Sequence, residues 1–445
     1  GPLADFAMVV PVPVVLHDGD VKTLKPEVFA HVESLGSPRL VEYWEQDPCP
    51  VPLAMDEGVG YGSLGSVAYG AGGGYGTIGA GHSTVKIEAK FDVAEYKILI
   101  LSATDSAGLE TWLHDNDYKI PAGAEPLLRP YIEGGSKFFV AKVDPAKVRL
   151  VDGHAALSPL RFHYDSDEFT LPIRLGMANS SGKQDLIVNI ISPSKRYEVA
   201  NYKNAFIPTN IDVKNNAKAR FAEFYASLFD ETVKANPGAV ITEYAWTSQG
   251  SPQCDPCPTV TMTSTDLDTL GGDVIKADLG DKFVMTRLHA RYGKKDMKDD
   301  LRFKEAKAVT GGREEWTKKG IELGANPSEE NFFQARYAIR HWWTGPIKCK
   351  NPRRGVWGGP WDDVVDDGVT SAQKLAFVKR GNFQLGTAIT RDIWEIGFKK
   401  AAPPPKQPAP VINKAQVQTQ TKKMGLGAIA LLLIALGAIR WKRRA

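Results

Sequence analysis

The chain has 445 residues, of which 43% are hydrophobic and 9% aromatic, enough to bury the core of one large domain or of two to three ordinary ones. Its 55 lysine and arginine residues nearly balance its 52 acidic residues, so the net charge at pH 7 is +3. This balance gives no reason to expect nucleic acid as a partner, because nucleic-acid binding usually needs a clustered basic face.

The chain opens with a predicted strand. Residues 5–15, DFAMVVPVPVV, are rich in valine, and Pro11 and Pro13 favour an edge strand or a bulge. No positively charged region and no cleavage site precede this strand, as a signal peptide would require. We therefore expect either that a signal peptide has been removed or that the sequence starts inside the folded domain.

Helical and strand-like segments then follow one another without strict βαβ alternation. Helices are predicted at 25–36, 106–117 and 215–238, and residues 122–135 are predicted to form either a short helix or two turns broken by Pro126 and Pro130. Strands are predicted at 85–103, at several places between 137 and 192, and at 239–246, 282–293 and 333–343. This order favours an α+β domain over residues 1–400, with mostly antiparallel sheets and segregated helices. Residues 300–332 and 350–375 are polar and charged and are predicted to be surface excursions.

Two segments carry a clear apolar pattern. The helix predicted at 215–238 has a stripe with helical spacing, made by Phe221, Phe224, Tyr225, Leu228 and Phe229. In the strand predicted at 333–343, alternation places one set of side chains on one face: Phe333, Ala335, Tyr337, Ile339 and His341. His289 and His341 each lie beside arginine in an alternating segment, so we expect paired residues of the core or sheet rather than catalytic groups.

The segment 58–82 is rich in glycine, and Gly60, Gly62 and Gly65 match the G-x-G-x-x-G pattern of a dinucleotide-binding turn. That turn needs a strand before it and a helix after it. Prolines interrupt the preceding residues, and 11 of the 24 residues from 58 to 81 are glycine, which disfavours a helix. We predict a loop that binds no nucleotide or other cofactor, with three candidates for contact with a partner: Tyr61, Tyr69 and Tyr75.

The chain contains four cysteines: Cys49, Cys254, Cys257 and Cys349. In an exported protein they predict two structural disulfides. Among the possible connectivities we favour those that join Cys254 and Cys257 to Cys49 and Cys349. A metal site made by all four cysteines, a redox-active C-x-x-C at 254–257 and free thiols are the alternatives.

Residues 353–363, RRGVWGGPWDD, space two tryptophans with glycines beside two arginines. Trp357 and Trp361 are therefore predicted to dock on the domain itself or on a partner. The acidic residues that follow lack the spacing of an EF-hand loop and predict a solvated turn: Asp362, Asp363, Asp366 and Asp367. The sequence has no nucleophile, phosphate-binding or zinc-binding motif, so we predict no catalytic residue and no metal ligand.

The C-terminal region predicts a linker and a membrane anchor. Residues 401–423 are first proline-rich and then polar, which is typical of a stiff spacer. Residues 424–439 contain 16 residues without a charge, among them Met424, Leu432 and Ile439. As a helix this stretch reaches roughly 24 Å, against about 30 Å for a hydrocarbon core. Arg440 and Trp441 make up the difference at the interface, so a transmembrane helix is predicted at 424–441.

The basic tail at 442–445 sets the orientation of this predicted helix. Positively charged flanks stay in the cytoplasm, so the chain before residue 424 is expected outside. One alternative is a buried C-terminal helix. The other is a sorting tail that is cleaved after anchoring, but Thr421, Lys422 and Lys423 stand where such a tail carries its sorting motif.

Many stretches resemble one family of exported bacterial proteins catalogued as a domain of unknown function. They include DFAMVVPVPVV (5–15), SPRLVEYWEQDPCP (37–50), residues 96–144, FTLPIRLGMANSSGKQDLIVNII (169–191), TEYAW (242–246), QCDPCP (253–258), TRLHARY (286–292), DLRFKEA (300–306) and FQARYAIRHWW (333–343). The resemblance covers residues 4 to about 350 in order. It implies export and an anchor in the membrane or wall, it implies no reaction, and it indicates that the family's N-terminal part is missing here.

These patterns together favour a single-pass protein of the bacterial membrane, with the bulk of the chain in the periplasm or outside the cell. Its expected role is that of a non-catalytic accessory, structural or binding subunit of an envelope or membrane-protein assembly. The expected partners are the membrane and other proteins. The alternative is an exported enzyme or thiol–disulfide protein that uses Cys254 and Cys257.

Overall fold

The computed structural model describes residues 7–49, 84–121, 123–151, 154–178, 180, 182–248, 262–275, 282–318, 320–361, 369–371 and 378–402. The chain divides into the units Gly1–Lys400 and Ala401–Ala445, and every element below belongs to the first unit. No helix in these described ranges is long and apolar enough to cross a bilayer. The predicted anchor, with Met424, Leu432, Ile439, Arg440 and Trp441, lies outside them.

The α-helices are α1 (Glu27–Gly36), α2 (Ser106–Asp115), α3 (Glu125–Glu133), α4 (Phe221–Ala235), α5 (Ser264–Leu267) and α6 (Leu385–Ala388). The strands of the N-terminal part are β1 (Ala7–Val12), β2 (Val21–Thr23), β3 (Arg39–Glu45), β4 (Val85–Val93), β5 (Tyr96–Ala103), β6 (Lys137–Val143), β7 (Arg149–Val151), β8 (His154–Ala156), β9 (Leu160–Phe162), β10 (Thr170–Leu171) and β11 (Gln184–Ser192). They are followed by β12 (Arg196–Val199), β13 (Lys203–Phe206), β14 (Ile211–Asp212), β15 (Ala239–Thr247), β16 (Val284–Tyr292), β17 (Leu301–Ala306) and β18 (Val309–Gly311). The last strands are β19 (Trp316–Thr317), β20 (Gly320–Ile321), β21 (Asn326–Pro327), β22 (Phe332–Gln334), β23 (Arg336–His341), β24 (Trp357–Gly358) and β25 (Val369–Ser371).

Most strand pairs are antiparallel, which confirms the predicted α+β class. One sheet has the antiparallel order β1-β6-β5-β4, and a second, smaller one has the order β10-β17-β12. The largest sheet follows β11-β16-β15-β22-β18-β21, with β13 added in parallel to β15. The sheet β14-β23-β3-β24, to which β25 is added, contains the parallel pairs β14–β23 and β23–β3.

The sheet β1-β6-β5-β4 is covered on both faces. Phe138 and Val140 of β6 lie in the core beneath α2 and α3, whereas Phe139 and Ala141 lie in the core on the opposite face. Both kinds of position are therefore apolar at 138–141, and this part of β6 is a continuous hydrophobic run instead of an alternating one.

Helix α4 packs on the largest sheet through the stripe predicted from its spacing. All five stripe residues are buried, and they share a core with Ile241 of β15, Phe333 of β22 and Tyr337 of β23. The predicted alternation after residue 332 is confirmed for Phe333, Ala335, Tyr337 and Ile339, which are buried in this core. His341 is partly buried and pairs with Glu42 at 2.8 Å, as expected for a histidine in a sheet.

Buried ion pairs connect the largest sheet to α4. The carboxylate of Glu243 is fully buried and accepts hydrogen bonds from Arg287 Nε at 2.8 Å and from Tyr225 Oη at 2.6 Å. It also lies 2.7 Å from His289 Nδ1. The other ring nitrogen of His289, Nε2, lies 3.1 Å from Asp185 Oδ1. Since both ring nitrogens face carboxylates, both act as donors and the ring is an imidazolium.

The electrostatic surroundings keep these groups charged in the core. Burial alone would lower the pKa of His289, but attraction to Glu243 and the hydrogen bond to Asp185 outweigh burial and raise this pKa. Burial would raise the pKa of Glu243, but His289 and Arg287 lower it to about 2. The connected charges balance, with Glu33, Asp185, Asp230 and Glu243 against Arg287, His289, Arg291 and Arg380.

The expectation of a surface excursion at 300–332 is wrong. Strand β17 is the central strand of a three-stranded sheet, and its residues Leu301 and Phe303 are buried. The strand was not recognised in the sequence because its alternation of apolar and polar residues is short. Helix α2 is capped by Asp105, one residue before Ser106, whose side chain accepts a hydrogen bond from the backbone N–H of Gly108 at 2.5 Å.

We predict that His289→Gln lowers the free energy of unfolding by about 3–5 kcal/mol at pH 6, because two buried carboxylates lose their shared cation. The stabilisation from His289 is complete below its unfolded pKa of about 6.5 and is lost as the pH rises through its higher folded pKa. Urea unfolding between pH 6 and 9 should therefore show a fall in stability for the wild type that is weaker in the variant.

The matched control is His163→Gln, which removes a half-exposed histidine next to Asp20. This control should change the free energy of unfolding by less than about 1 kcal/mol. Equal pH dependence in the wild type and His289→Gln would contradict the assignment of a buried imidazolium.

Candidate functional site

The segment 342–361, which we call the tryptophan–arginine segment, is held to the end of β3 by one carboxylate. Glu45 is fully buried and accepts hydrogen bonds at Oε1 from Arg354 Nε and Gly355 N, both at 2.8 Å. Its Oε2 accepts from Arg354 Nη2 at 2.7 Å and from Trp343 N at 3.0 Å. The hydrogen bond from Arg354 is the main cause that lowers the pKa of Glu45 to about 2, so this carboxylate is ionised at neutral pH.

Further bonds fix the same segment along its length. A disulfide joins Cys49 to Cys349, which are 300 residues apart in sequence. Backbone hydrogen bonds run from Gln46 N to the carbonyl of Val356 at 2.8 Å and from Arg353 N to the carbonyl of Pro48 at 2.9 Å. The tryptophan–arginine segment therefore has a defined backbone path although much of its side-chain surface faces solvent.

The exposed side chains of this segment are apolar and cationic. Trp342 is 55% exposed, Ile347 and Trp361 are each 44% exposed, and Val356 is 43% exposed. Four cations are exposed beside them: Lys348, Lys350, Arg353 and Arg354. The segment itself contains no acidic residue. Exposed tryptophan and arginine side chains are the kind that carry binding energy at protein interfaces.

The two tryptophans predicted for partner contact have different surroundings. Trp361 is exposed, while its Nε1 donates to the carbonyl of Glu45 at 2.7 Å. Trp357 is partly buried, and its ring lies 4.8 Å from the Arg340 guanidinium and 4.9 Å from the Trp342 ring. Trp357 therefore supports Trp342 from beneath, and the exposed pair is Trp342 and Trp361.

A second candidate site is a cavity of about 410 Å³ between β1, α3, β10 and β17. Tyr131 of α3 donates its hydroxyl to Asp300 Oδ1 at 2.6 Å, and the backbone N–H of Ile173 donates to the same oxygen at 2.8 Å. Arg174 lies beside them and donates Nη2 to Asp299 Oδ1 at 2.8 Å. These bonds tie α3 to the residues that precede β17, so the wall of the cavity is fixed.

The buried Glu243–His289–Asp185 arrangement does not form an accessible site. Glu243 is 0% and His289 1% exposed, and Phe229 stacks on the histidine ring at 3.8 Å. A substrate therefore cannot reach the imidazole, and the arrangement is structural. Among the described residues no group of three or more histidine, cysteine, aspartate or glutamate side chains has the geometry of a metal site.

The cysteine pairing favoured from the sequence is wrong. Cys49 and Cys349 bond to each other, so neither is available to Cys254 or Cys257. Cys254 and Cys257 lie outside the described residues, as do Tyr61, Tyr69, Tyr75 and the four aspartates at 362–367. Sequence reasoning also missed Glu45, which has no distinctive local signal because the strand β3 that it ends also contains the charged residues Arg39 and Glu42.

A family model described as "Uncharacterized protein conserved in bacteria (DUF2330)" matches residues 1–304. No curated protein and no solved structure matches the chain. The matched range contains every residue that lines the cavity and ends before the tryptophan–arginine segment.

We predict that Glu45→Gln loosens the tryptophan–arginine segment, since hydrogen bonds to a charged group contribute about 1.5–3 kcal/mol each. Amide hydrogen exchange measured by mass spectrometry should show protection at residues 343–356 falling about tenfold or more. Protection in β5 and β6 should be unchanged.

The matched control is Glu231→Gln, which removes a partly exposed glutamate paired with Lys234. It should leave the exchange of residues 343–356 unaltered. Wild-type protection of these residues in Glu45→Gln would show that this carboxylate does not hold the segment.

Proposed function

We propose that this chain, which belongs to the bacterial family DUF2330, is an exported binding module anchored in the membrane. Its role in this proposal is that of a non-catalytic accessory subunit of a cell-envelope assembly. The observation that carries the proposal is the tryptophan–arginine segment, in which exposed aromatic and cationic side chains stand on a backbone fixed by Glu45 and the disulfide.

A fixed backbone favours a binding role for this surface. Association costs free energy because side chains and loops lose freedom at the interface. The bonds from Glu45 and the Cys49–Cys349 disulfide restrict the backbone before any partner arrives. Trp342 and Trp361 then supply large rigid side chains whose exposed area a partner can cover.

Two independent features support export and anchoring. Disulfides persist in oxidising compartments and are rare in the cytosol, so the Cys49–Cys349 bond favours a location outside the cytoplasm. The apolar stretch 424–439 followed by Arg440, Lys442 and the other terminal cations favours a membrane span with its end in the cytoplasm. Both features support a location of the unit that carries the disulfide on the outer side.

The length of the linker at 401–423 limits how far from the membrane the proposed partner can lie. Residues 401–423 span at most about 80 Å when fully extended, at roughly 3.3–3.6 Å per residue. A unit tethered in this way works near the bilayer surface, so the proposed partner is a membrane protein or an envelope protein close to it.

We predict that the double variant Trp342→Ala/Trp361→Ala no longer binds its proposed partner and therefore dissociates from the assembly. Mass photometry of chains extracted in mild detergent should show the wild type in particles heavier than one 48.6 kDa chain plus detergent. The double variant should shift to the mass of a single chain, because the exposed anchors of the interface are removed.

The matched control is Trp394→Ala, which removes a 67% exposed tryptophan outside the tryptophan–arginine segment and should leave the particles intact. A chain without residues 424–445 should leave the membrane fraction, which tests the anchor separately. A wild type that is a single chain after mild extraction, or a double variant that keeps its partner, would contradict the proposal.

A further inference from the structure

The cavity between β1, α3, β10 and β17 has the size and position of a small-molecule site. Its volume of about 410 Å³ falls within the roughly 300–1,000 Å³ of ligand pockets. It lies where the sheet that contains β1 meets the sheet that contains β17. Pro11, Pro13 and Pro172 contribute rigid apolar wall.

Some of the charged side chains that line this cavity are already paired with other groups of the protein. Arg174 pairs with Asp299 through Nη2 at 2.8 Å. Asp300 Oδ1 is occupied by Tyr131, by the N–H of Ile173 and by the N–H of Arg174 at 3.3 Å. Within the described part of the chain Asp300 Oδ2 accepts no hydrogen bond, so this oxygen retains its capacity to bind a donor.

Two opposite charges remain without partners. The guanidinium of Arg302 and the carboxylate of Glu168 both line the cavity and are both exposed. Neither forms an ion pair or a side-chain hydrogen bond with any described residue, and they do not pair with each other. Among the described residues, the cavity therefore presents the unpaired cation of Arg302 and the unpaired anion of Glu168 in one open cleft.

We propose that this cavity binds a zwitterion, namely a free amino acid or a short peptide. Arg302 receives the ligand's carboxylate, since a guanidinium matches a carboxylate with two parallel hydrogen bonds. Glu168 and Asp300 Oδ2 receive its ammonium group. Glu168 and Asp300 would repel a ligand that carries only negative charge, and Arg302 would repel a ligand that carries only positive charge. A zwitterion avoids both repulsions and therefore fits best.

The remaining lining suits the body of such a ligand. Tyr164 presents a hydroxyl without a hydrogen-bond partner among the described residues, and burial raises its pKa, so it stays neutral and able to donate. Ser136 and Thr170 add hydroxyl groups that can bind a peptide unit. The prolines face the apolar part of the ligand.

The experiment uses the full chain in detergent and isothermal titration with four probes: alanyl-alanine, its N-acetyl form, its C-terminal amide and the neutral disaccharide trehalose. We expect the free dipeptide to bind. Blocking either end should weaken binding about tenfold or more, because a charge-assisted hydrogen bond is lost. Trehalose should not bind.

Two variants test which residue binds the carboxylate of the ligand and which binds its ammonium group. Arg302→Met should weaken binding of the free dipeptide about tenfold while leaving the amide form at its wild-type affinity, and Glu168→Gln should do the same for the N-acetyl form. Both side chains are exposed and unpaired, so urea unfolding should match the wild type. Two exposed residues outside the cavity supply the controls, Arg353→Met and Glu329→Gln, which should bind like the wild type.

Three results would overturn the proposal. One is the absence of binding heat with every probe, and another is binding of trehalose or of a blocked dipeptide as strong as that of the free dipeptide. The third is unchanged discrimination between the probes in Arg302→Met and Glu168→Gln. None of these results depends on the partner proposed for the tryptophan–arginine segment.

Discussion

The contacts at the end of β3 hold the exposed tryptophan–arginine segment in place. Glu45 closes the strand with an ionised carboxylate that has no exposure to water, and four N–H groups from the tryptophan–arginine segment satisfy it. Four residues later Cys49 bonds the same segment covalently. Exposed aromatic side chains on a mobile chain would collapse onto the nearest apolar surface. Because Glu45 and the disulfide both hold this segment, Trp342 and Trp361 remain exposed to solvent.

The two candidate sites lie on opposite sides of the limit of the family match. The cavity, and most of the buried ion pairs that surround His289, fall within residues 1–304. The tryptophan–arginine segment and Cys349 lie beyond it, although β3, to which they are bound, lies inside. The domain thus has a cavity within the range that the family model matches and an exposed tryptophan–arginine segment that follows this range in the chain. The proposed ligand binding and the proposed partner binding are accordingly testable by separate substitutions.

Elements with a local pattern were predictable from sequence, such as α4 with its stripe and the alternation from Phe333 to Ile339. The pairing of His289 was expected, but the buried carboxylate of Glu243 was not. Glu243 lies between Ile241 and Ala245 on the face of β15 that packs against α4, where the alternation predicts an apolar residue. Glu45 and its donors are about 300 residues apart, and so are the first and last residues that line the cavity. No spacing rule connects residues that only the tertiary fold brings together.

The oxidation state of Cys49 and Cys349 in the cell tests the central claim most directly. Cells that express the full chain are quenched in acid, alkylated without reductant and analysed by peptide mass spectrometry. The account predicts that both cysteines resist alkylation and that their peptides stay joined until reductant is added, as expected for a clamp formed outside the cytoplasm. Alkylation of both thiols before reduction would contradict both the export of this unit and the clamp on which its surface depends.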